Sequence, residues 1–540
     1  MLLAAPLNLR RVAPAAGLAL VAVLMFAFAW QDKLASFGDD SVSYLVLANY
    51  FAGSSGNAFA AQWAPYHSHF PPLFPALLWL TGGASDYRVA YTLVAALAVL
   101  ALPLIHRYSS LELGSPRAGL AATAIFVLLP TAWITLKGVM SESLYLCVTM
   151  ACVLHYETRL AQREPSGGDR LVFGVLLALA CLSRALGVAL VIAYVAHVAV
   201  RVALRRERAH ARLLLPLLPV AAALSLWYGL RPTLGSDAYQ RTASQILSSW
   251  RDEPVRMLLA GVDHLSSAWI ATFAAQDDVP AVLAGVALAL GAIALAGVCL
   301  RVLRNRLDGW FLLVSLAIVF PWVFSAENTR RLIYPLVPLL IVAGAGFVRW
   351  SLDRARLPIK SRPYLLAIAF AAPVLASFPA VVLLAQKALD RGAVIPGYAY
   401  SYREVAEYYT TVNLETARER AKLAVVTLEG LAAIDRVTPA SARVMWMRPE
   451  YIALLGRRQA VPFLYRWNPA ELAREVKQSR TTHIVQSWLA KTDVDVAQGN
   501  PHLEIADYTQ PAFSIGDIFM LMAVDPAALD AYLARKGVPG

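Results

Sequence analysis

The sequence predicts a multi-spanning α-helical membrane protein of about eleven transmembrane helices, ending in a soluble extracytoplasmic α/β domain. Three observations carry this. Of 540 residues, 58% are hydrophobic and only 16% are charged, and the apolar residues come in long blocks. Arginine and lysine gather in every second gap between those blocks. Beyond about residue 390 the blocks stop, and short strand-like and helix-like patterns begin.

The apolar segments run roughly over 12–30, 87–106, 117–136, 142–160, 171–184, 186–204, 212–230, 279–300, 309–325, 332–350 and 364–386. Most approach the ~20 residues that span a bilayer. Arg10 and Arg11 precede the first, and Ala27-Phe28-Ala29 imitates a signal cleavage site. A retained first helix is the preferred reading, because a multi-spanning chain follows. The segments on either side of Ser183-Arg184 read as two short helices or one long kinked one.

With the N-terminus inside, the basic gaps all fall on the cytoplasmic side. They hold Arg107 and Arg117; Arg159, Arg163 and Arg170; Arg201, Arg205, Arg206, Arg208 and Arg212; Arg301, Arg304 and Arg306; and Arg349, Arg354, Arg356, Lys360 and Arg362. This alternation puts the C-terminus outside. It also gives the net charge of +12 a topological meaning, so nucleic acid is not expected as a partner. Cys147, Cys152, Cys181 and Cys299 sit in apolar stretches without ligand spacing and read as small buried residues.

Three regions then face outward: 31–86, 231–278 with a helix over Pro254–Ala274, and the tail 390–540. Residues 1–389 form the membrane domain in this reading. In the tail, "KLAVVTL", "ARVMWM", "THIVQS" and "DIFMLMAV" read as strands. "NPAELAREVKQS" opens with Asn468 as N-cap and Pro469 at N1. "DPAALDAYLARKG" repeats that pattern with Asp525 and Pro526 and stops at Gly537.

Ionisable side chains near a bilayer are costly, so their placement is informative. In this topology Asp39, Asp40, His67, His69, Lys137, Glu142, Arg184, Glu327, Arg330 and Arg331 converge on the outer face. Carboxylates and guanidinium groups at one face suit an anionic substrate that is partly embedded in lipid. Each residue also has a plainer reading. Asp39 or Asp40 caps the helix "SVSYLVLANYF", and Glu142 caps the helix after "SES". Lys137 snorkels from a helix end. His67 and His69 are interfacial residues, since His-x-His alone is a weak metal signal. Arg330 and Arg331 are interfacial charges, although they break the inside-positive pattern. "SVSYLVLANYF" is too short to span and reads as a helix lying along the interface.

Several stretches together resemble the GT-C class of polyprenyl-phosphate-dependent membrane glycosyltransferases. The branch is that of the protein O-mannosyltransferases and bacterial aminoarabinose transferases. They are "FGDDSVSYLVLANYFAG", "HFPPLFPALLWL", "MSESLYL", "LSRALGVAL", "NTRRLIYPLVPLLIVAGAG" and, in the tail, "YIALLGRRQAVPF". The likeness lies in their order along nearly the whole chain. It implies inverting transfer of one sugar from a polyprenyl-phosphate carrier to a glycan, lipid or protein acceptor at the outer face of a bacterial inner membrane. It implies that Asp39 or Asp40 is the general base and that Glu142 is a second carboxylate or an acceptor-positioning group. It implies that Arg330 and Arg331 contact the carrier phosphate, with Tyr334 in the same motif and His67, His69, Lys137 and Arg184 in the substrate site. One departure stands out: His69 and Phe70 occupy the place of the family's Glu-Lys pair before Pro71-Pro72. The phosphate partner must then come from elsewhere, and a lipid A acceptor is disfavoured.

The residue types fit this chemistry. Sugar transfer needs a base for the acceptor proton and cations for the leaving phosphate, which Asp and Arg supply. No cofactor is required, although Asp39, Asp40 and Glu142 could together hold a divalent cation. No phosphate-binding glycine loop for a nucleotide is present, in keeping with a lipid-linked donor. Competing readings are a transporter or flippase of lipid-linked sugars, a ligase or polymerase that moves whole oligosaccharides, and a non-catalytic scaffold for the tail.

Overall fold

A computed structural model describes residues 9–34, 40–161, 165–204, 211–232, 238–274, 279–322, 326–355, 362–410, 413–463, 467–487 and 502–537. Among the described residues, six helices are long and apolar enough to cross a membrane: Tyr87–Leu113, Ala185–Ala203, Pro254–Ala274, Ala281–Leu303, Asn328–Arg354 and Ala371–Leu389. A seventh candidate is the pair Pro116–Leu128 and Pro130–Lys137, bent by 66°. Pro130 makes that break, because a proline removes a backbone donor and clashes with the preceding turn. Shorter apolar helices cover Ala16–Ala29, Leu217–Leu230 and Leu307–Val319. The helix expected in the second outer loop, Pro254–Ala274, is thus itself a candidate span.

Helix packing follows from small residues at the contacts. Ala281–Leu303 lies against Val337–Arg354. A Cβ at Gly297 would stand 2.1 Å from the Ala343 carbonyl oxygen, so only glycine lets the backbones approach this closely. The outward side of Ala281–Leu303 carries exposed Val282 and Leu303, as suits a helix that faces lipid. Cys299 also lies on this exposed side, which corrects its reading as a buried residue; Cys152 and Cys181 are buried.

The segments around Arg184 resolve as two helices. Gly167–Ser183 ends, Arg184 is extended at φ −157° and ψ 144°, and Val188–Ala203 begins after a single 3-10 turn. Gly187 permits the fold-back, since a Cβ there would meet the Ala180 carbonyl oxygen at 2.2 Å. Ser41–Ala52 is a helix as expected, but every residue from Ser41 to Asn49 is buried. It is enclosed by protein instead of lying along an interface with one face open.

The tail holds a five-stranded sheet in the order β2-β1-β3-β5-β4. The strands are β1 (Arg443–Trp446), β2 (Gln459–Pro462), β3 (His483–Ser487), β4 (Thr509–Ile515) and β5 (Phe519–Val524). β1 runs parallel to β2 and β3, and β5 antiparallel to β3 and β4. Parallel neighbours need a crossover, and Pro449–Leu455 and Pro469–Gln478 supply them. Asn468 and Asp525 cap their helices as the sequence predicts. "KLAVVTL" is not a strand: it lies inside the helix Leu414–Val437. Its β-branched run misleads, because the buried residues Ala417, Ala421, Ala424, Val425, Leu428 and Leu431 repeat at helical spacing. Gly430 brings this helix against β5, where a Cβ would meet the Phe519 ring at 2.4 Å.

One apolar core runs from the membrane helices through Leu414–Val437 to one face of the sheet. A second, around Met445, Leu472, Val476, Ile484 and Tyr532, fills the other face. The tail is also tied to the first outer loop. Asn57 Nδ2 donates to the carbonyls of Ala453 (2.9 Å) and Leu454 (3.3 Å), while its Oδ1 accepts from Phe59 N and Ala60 N. The segment Tyr451–Leu455 of the expected family motif is therefore a docking helix.

Candidate active site

Three helix ends meet beside the first outer loop. Asp40 begins the helix Ser41–Ala52, Ser141 and Glu142 begin Glu142–His155, and Arg330 and Arg331 lie in Ala326–Ile333. Arg184 enters from the break between its two helices. Arg331 joins the carboxylates: its Nη2 donates to Asp40 Oδ2 at 2.7 Å and its Nε to Glu142 Oε1 at 2.9 Å. Arg184 Nη1 lies 3.0 Å from the same Glu142 oxygen. Four side chains from four segments thus form one neutral cluster.

Asp40 stands at the N-cap position, yet its side chain makes no capping hydrogen bond. The capping reading therefore fails for Asp40, whose carboxylate turns to Arg331. Glu142 is fully buried, whereas the Asp40 side chain is 37% exposed. Among the described residues, Glu142 Oε2 has no hydrogen-bond partner. A buried carboxylate oxygen left without a donor is unusual, because such atoms normally find one. Asp39 lies outside the described residues, as does the side chain of Glu327.

Sequence reasoning missed Ser41, Tyr44 and Ser141. The Tyr44 hydroxyl lies 2.7 Å from Ser141 Oγ, and Ser41 Oγ accepts from Val139 N at 2.9 Å. A signal existed: Tyr44 is four residues after Asp40, on the same helical face. Tyr44 also packs on Phe70 (5.1 Å between centroids), which packs on His69 at 4.3 Å. Phe70 therefore supports Tyr44. His67 lies 6.5 Å from His69 between ring centroids. Burial pushes its imidazole down to about 4, His69 adds to this, and Asp40 opposes it. Without a bound anion, His67 is thus held toward its neutral form. Arg330 and Tyr334 are buried nearby, with the Tyr334 ring 5.6 Å from Phe126.

Lys137 is not in the cluster. It is buried, and its ammonium lies over the rings of Phe28 (4.5 Å) and Tyr409 (5.4 Å). Arg331 bridges Asp40 and Glu142, and Asp39, the third carboxylate expected beside a divalent cation, lies outside the described residues.

No protein-family model matches the chain, and no curated protein sequence matches it. Solved structures do. ArnT from Cupriavidus metallidurans bound to undecaprenyl phosphate is 13% identical, with a TM-score of 0.52 over 97% of this chain and 99% of that one. An Archaeoglobus fulgidus oligosaccharyltransferase tethered with an acceptor peptide is 12% identical, with a TM-score of 0.51 over 98% of this chain and 75% of that one. The chain thus has the fold of the GT-C membrane glycosyltransferases.

Proposed function

We propose that the protein transfers a single sugar from a polyprenyl-phosphate carrier to an acceptor hydroxyl at the outer face of the membrane. The observation that carries this is the guanidinium of Arg331 bridging an accessible Asp40 and an enclosed Glu142. Asp40 is the general base. It takes the acceptor proton while the acceptor oxygen bonds to the anomeric carbon. The bond from that carbon to the phosphate oxygen breaks, and its electron pair leaves on the phosphate. A single displacement inverts the anomeric centre. Arg331, Arg184 and Arg330 receive the developing phosphate charge, because paired N–H donors match phosphate oxygens. Glu142 holds Arg184 and Arg331 in place before the carrier arrives, so little reorganisation is left for the reaction.

Transfer of a whole oligosaccharide is the alternative, and a lipid-linked oligosaccharide in the donor panel separates the two. The donor sugar is a hexose or pentose. The protein belongs in a bacterial inner membrane with about eleven crossings, a cytoplasmic N-terminus and residues 390–540 outside. The test is a reconstituted assay with a panel of polyprenyl-phosphate sugars and envelope extract as acceptor. Asp40→Asn should lower transfer by at least about a hundred-fold while carrier binding persists. Full transfer by Asp40→Asn, with loss in Asp39→Asn, would move the base to Asp39. Transfer by neither the wild type nor any variant would end the reading.

A further inference from the structure

Lys137 occupies a junction that the proposed chemistry does not use. It ends the 3-10 turn Thr135–Lys137, five residues before Glu142. Its ammonium is enclosed by two rings from distant parts of the chain, Phe28 in the first helix and Tyr409 in residues 390–410, the linker that opens the tail before the helix Leu414–Val437. Those rings touch each other edge to face, 5.1 Å between centroids. The charged groups that act on Lys137, Glu404 and Arg403, are linker residues as well.

On one side of Lys137 the chain runs straight into the cluster. Gly138 is extended, Val139 N–H donates to Ser41 Oγ, Ser141 Oγ meets the Tyr44 hydroxyl, and Glu142 follows. On the other side the linker is anchored in the tail. The Tyr408 hydroxyl donates to Asp390 Oδ2 at 2.6 Å, and Arg418 of the helix Leu414–Val437 donates to both Asp390 oxygens, at 2.6 and 3.0 Å. Tyr409 is next in sequence to Tyr408 and donates to the Arg403 carbonyl at 3.0 Å. A continuous set of contacts thus leads from the tail through Tyr409 and Lys137 to the turn that presents Glu142.

We propose that Lys137 is a positioning residue through which the extracytoplasmic linker holds the turn Gly138–Ser141, and with it Glu142, in working geometry. An ammonium between two ring faces is held by the negative faces of their π systems, an attraction that strengthens when water is excluded. Fixing Lys137 removes freedom from a glycine-containing turn whose other end is pinned by Ser41 and Tyr44. The tail then contributes to transfer without touching the reacting atoms. This deepens the glycosyl-transfer reading and rests on it for its kinetic consequence, but not for its structural one.

The experiment uses the full chain in lipid nanodiscs, with Lys137→Met, Lys137→Arg, Tyr409→Leu, Tyr409→Phe and the double variant Lys137→Met/Tyr409→Leu. Hydrogen exchange over residues 138–142 is read first, because it needs no enzymatic turnover. Exchange should rise in Lys137→Met and Tyr409→Leu and stay near wild type in Lys137→Arg and Tyr409→Phe, which keep the charge and the ring. In the transfer assay kcat should fall about ten-fold in the first two with donor KM unchanged, because misplacement at a distance costs rate and not affinity. The double variant should be no worse than either single one, as expected for two residues acting through one contact. Unchanged exchange in both single variants overturns the proposal. So does raised exchange with unaltered kcat, or a loss confined to donor KM, which would make Lys137 a direct phosphate ligand. If wild type transfers nothing while the exchange pattern appears, the glycosyl-transfer reading fails and the coupling stands.

Discussion

The helix Glu142–His155 and the turn that follows it carry a buried carboxylate at each end, Glu142 and Glu157, about 22 Å apart along the axis. Each belongs to an ionic cluster, and the two clusters differ. At the Glu157 end, Arg306 pairs with Glu157 at 2.9 Å and donates to Glu112, and Arg301 donates to Glu112 at 3.0 Å. Asp308 accepts from Arg301, from the Tyr108 hydroxyl and, at 2.9 Å, from Gly309 N. Both oxygens of Glu112 and both of Asp308 are occupied, and among the described residues the group left without a partner there is a donor, Arg306 Nε. At the Glu142 end, both arginines reach one oxygen of Glu142, the other has no partner among the described residues, and Asp40 stands partly open. Buried charge is common to both ends. What separates them is an unpaired carboxylate oxygen on the enclosed Glu142 and the partial exposure of Asp40 beside it.

The largest effect should come from breaking the closed cluster. Arg301→Met leaves Glu112 and Asp308 buried with too little compensation and should cost about 3–5 kcal/mol, read as a fall in Tm in detergent. Transfer per folded molecule should survive. An unchanged Tm would show that saturation does not make this cluster a clamp. Glu142→Gln sharpens the contrast at the open end. The amide keeps the size and an acceptor, so stability should fall by about 1–3 kcal/mol. Transfer should fall further than that stability loss explains, because Arg184 and Arg331 lose the charge that orients them. Loss of stability as large as in Arg301→Met, with normal transfer per folded molecule, would erase the distinction between the two ends.

The open cluster was legible in sequence and the closed one was not, for a physical reason. Asp40, Glu142, Arg184 and Arg331 interrupt apolar segments or sit where the charge pattern forbids arginine, so each stands out. Arg301 and Arg306 fall where cytoplasmic arginines are expected, and topology alone accounted for them. Glu112, Glu157 and Asp308 are ordinary at helix ends until packing brings them together. Asp40 as an arginine partner instead of a cap could not be read locally, because Arg331 is 291 residues away in sequence. The topology puts Lys137 on the outer face with the cluster, and only the contact with Phe28 and Tyr409 sets it apart. In the tail, capped helices and three strands followed from pattern, whereas the short edge strand β2 and the bulged β4 carry too little alternation. Leu414–Val437 hid a helix behind a β-branched run that Gly430 allows to pack on Phe519.

The smallest effect separates saturation from depth in the bilayer. Asp390 lies in the linker, outside the membrane-spanning segments, and is saturated like Asp308: Arg418, the Tyr408 hydroxyl and Gly392 N all donate to it. Arg418 first, and Tyr408 and Gly392 after it, hold its carboxyl down to about 2. The folded value lies below the unfolded one of about 3.9, so the stabilisation is complete above that pH and disappears as pH falls through about 2. Limited proteolysis of the linker by an acid protease should therefore be flat from about pH 5 to 4 and accelerate from about 4 down to 2. In Arg418→Met the linker should already be cleaved faster at about pH 5, and the acceleration below about pH 4 should shrink, because the folded value moves back toward the unfolded one. If both proteins show the same acceleration below about pH 4, Asp390 is not the group that holds the linker. Saturation would then do little outside the membrane, and the resistance of the closed cluster would belong to its depth.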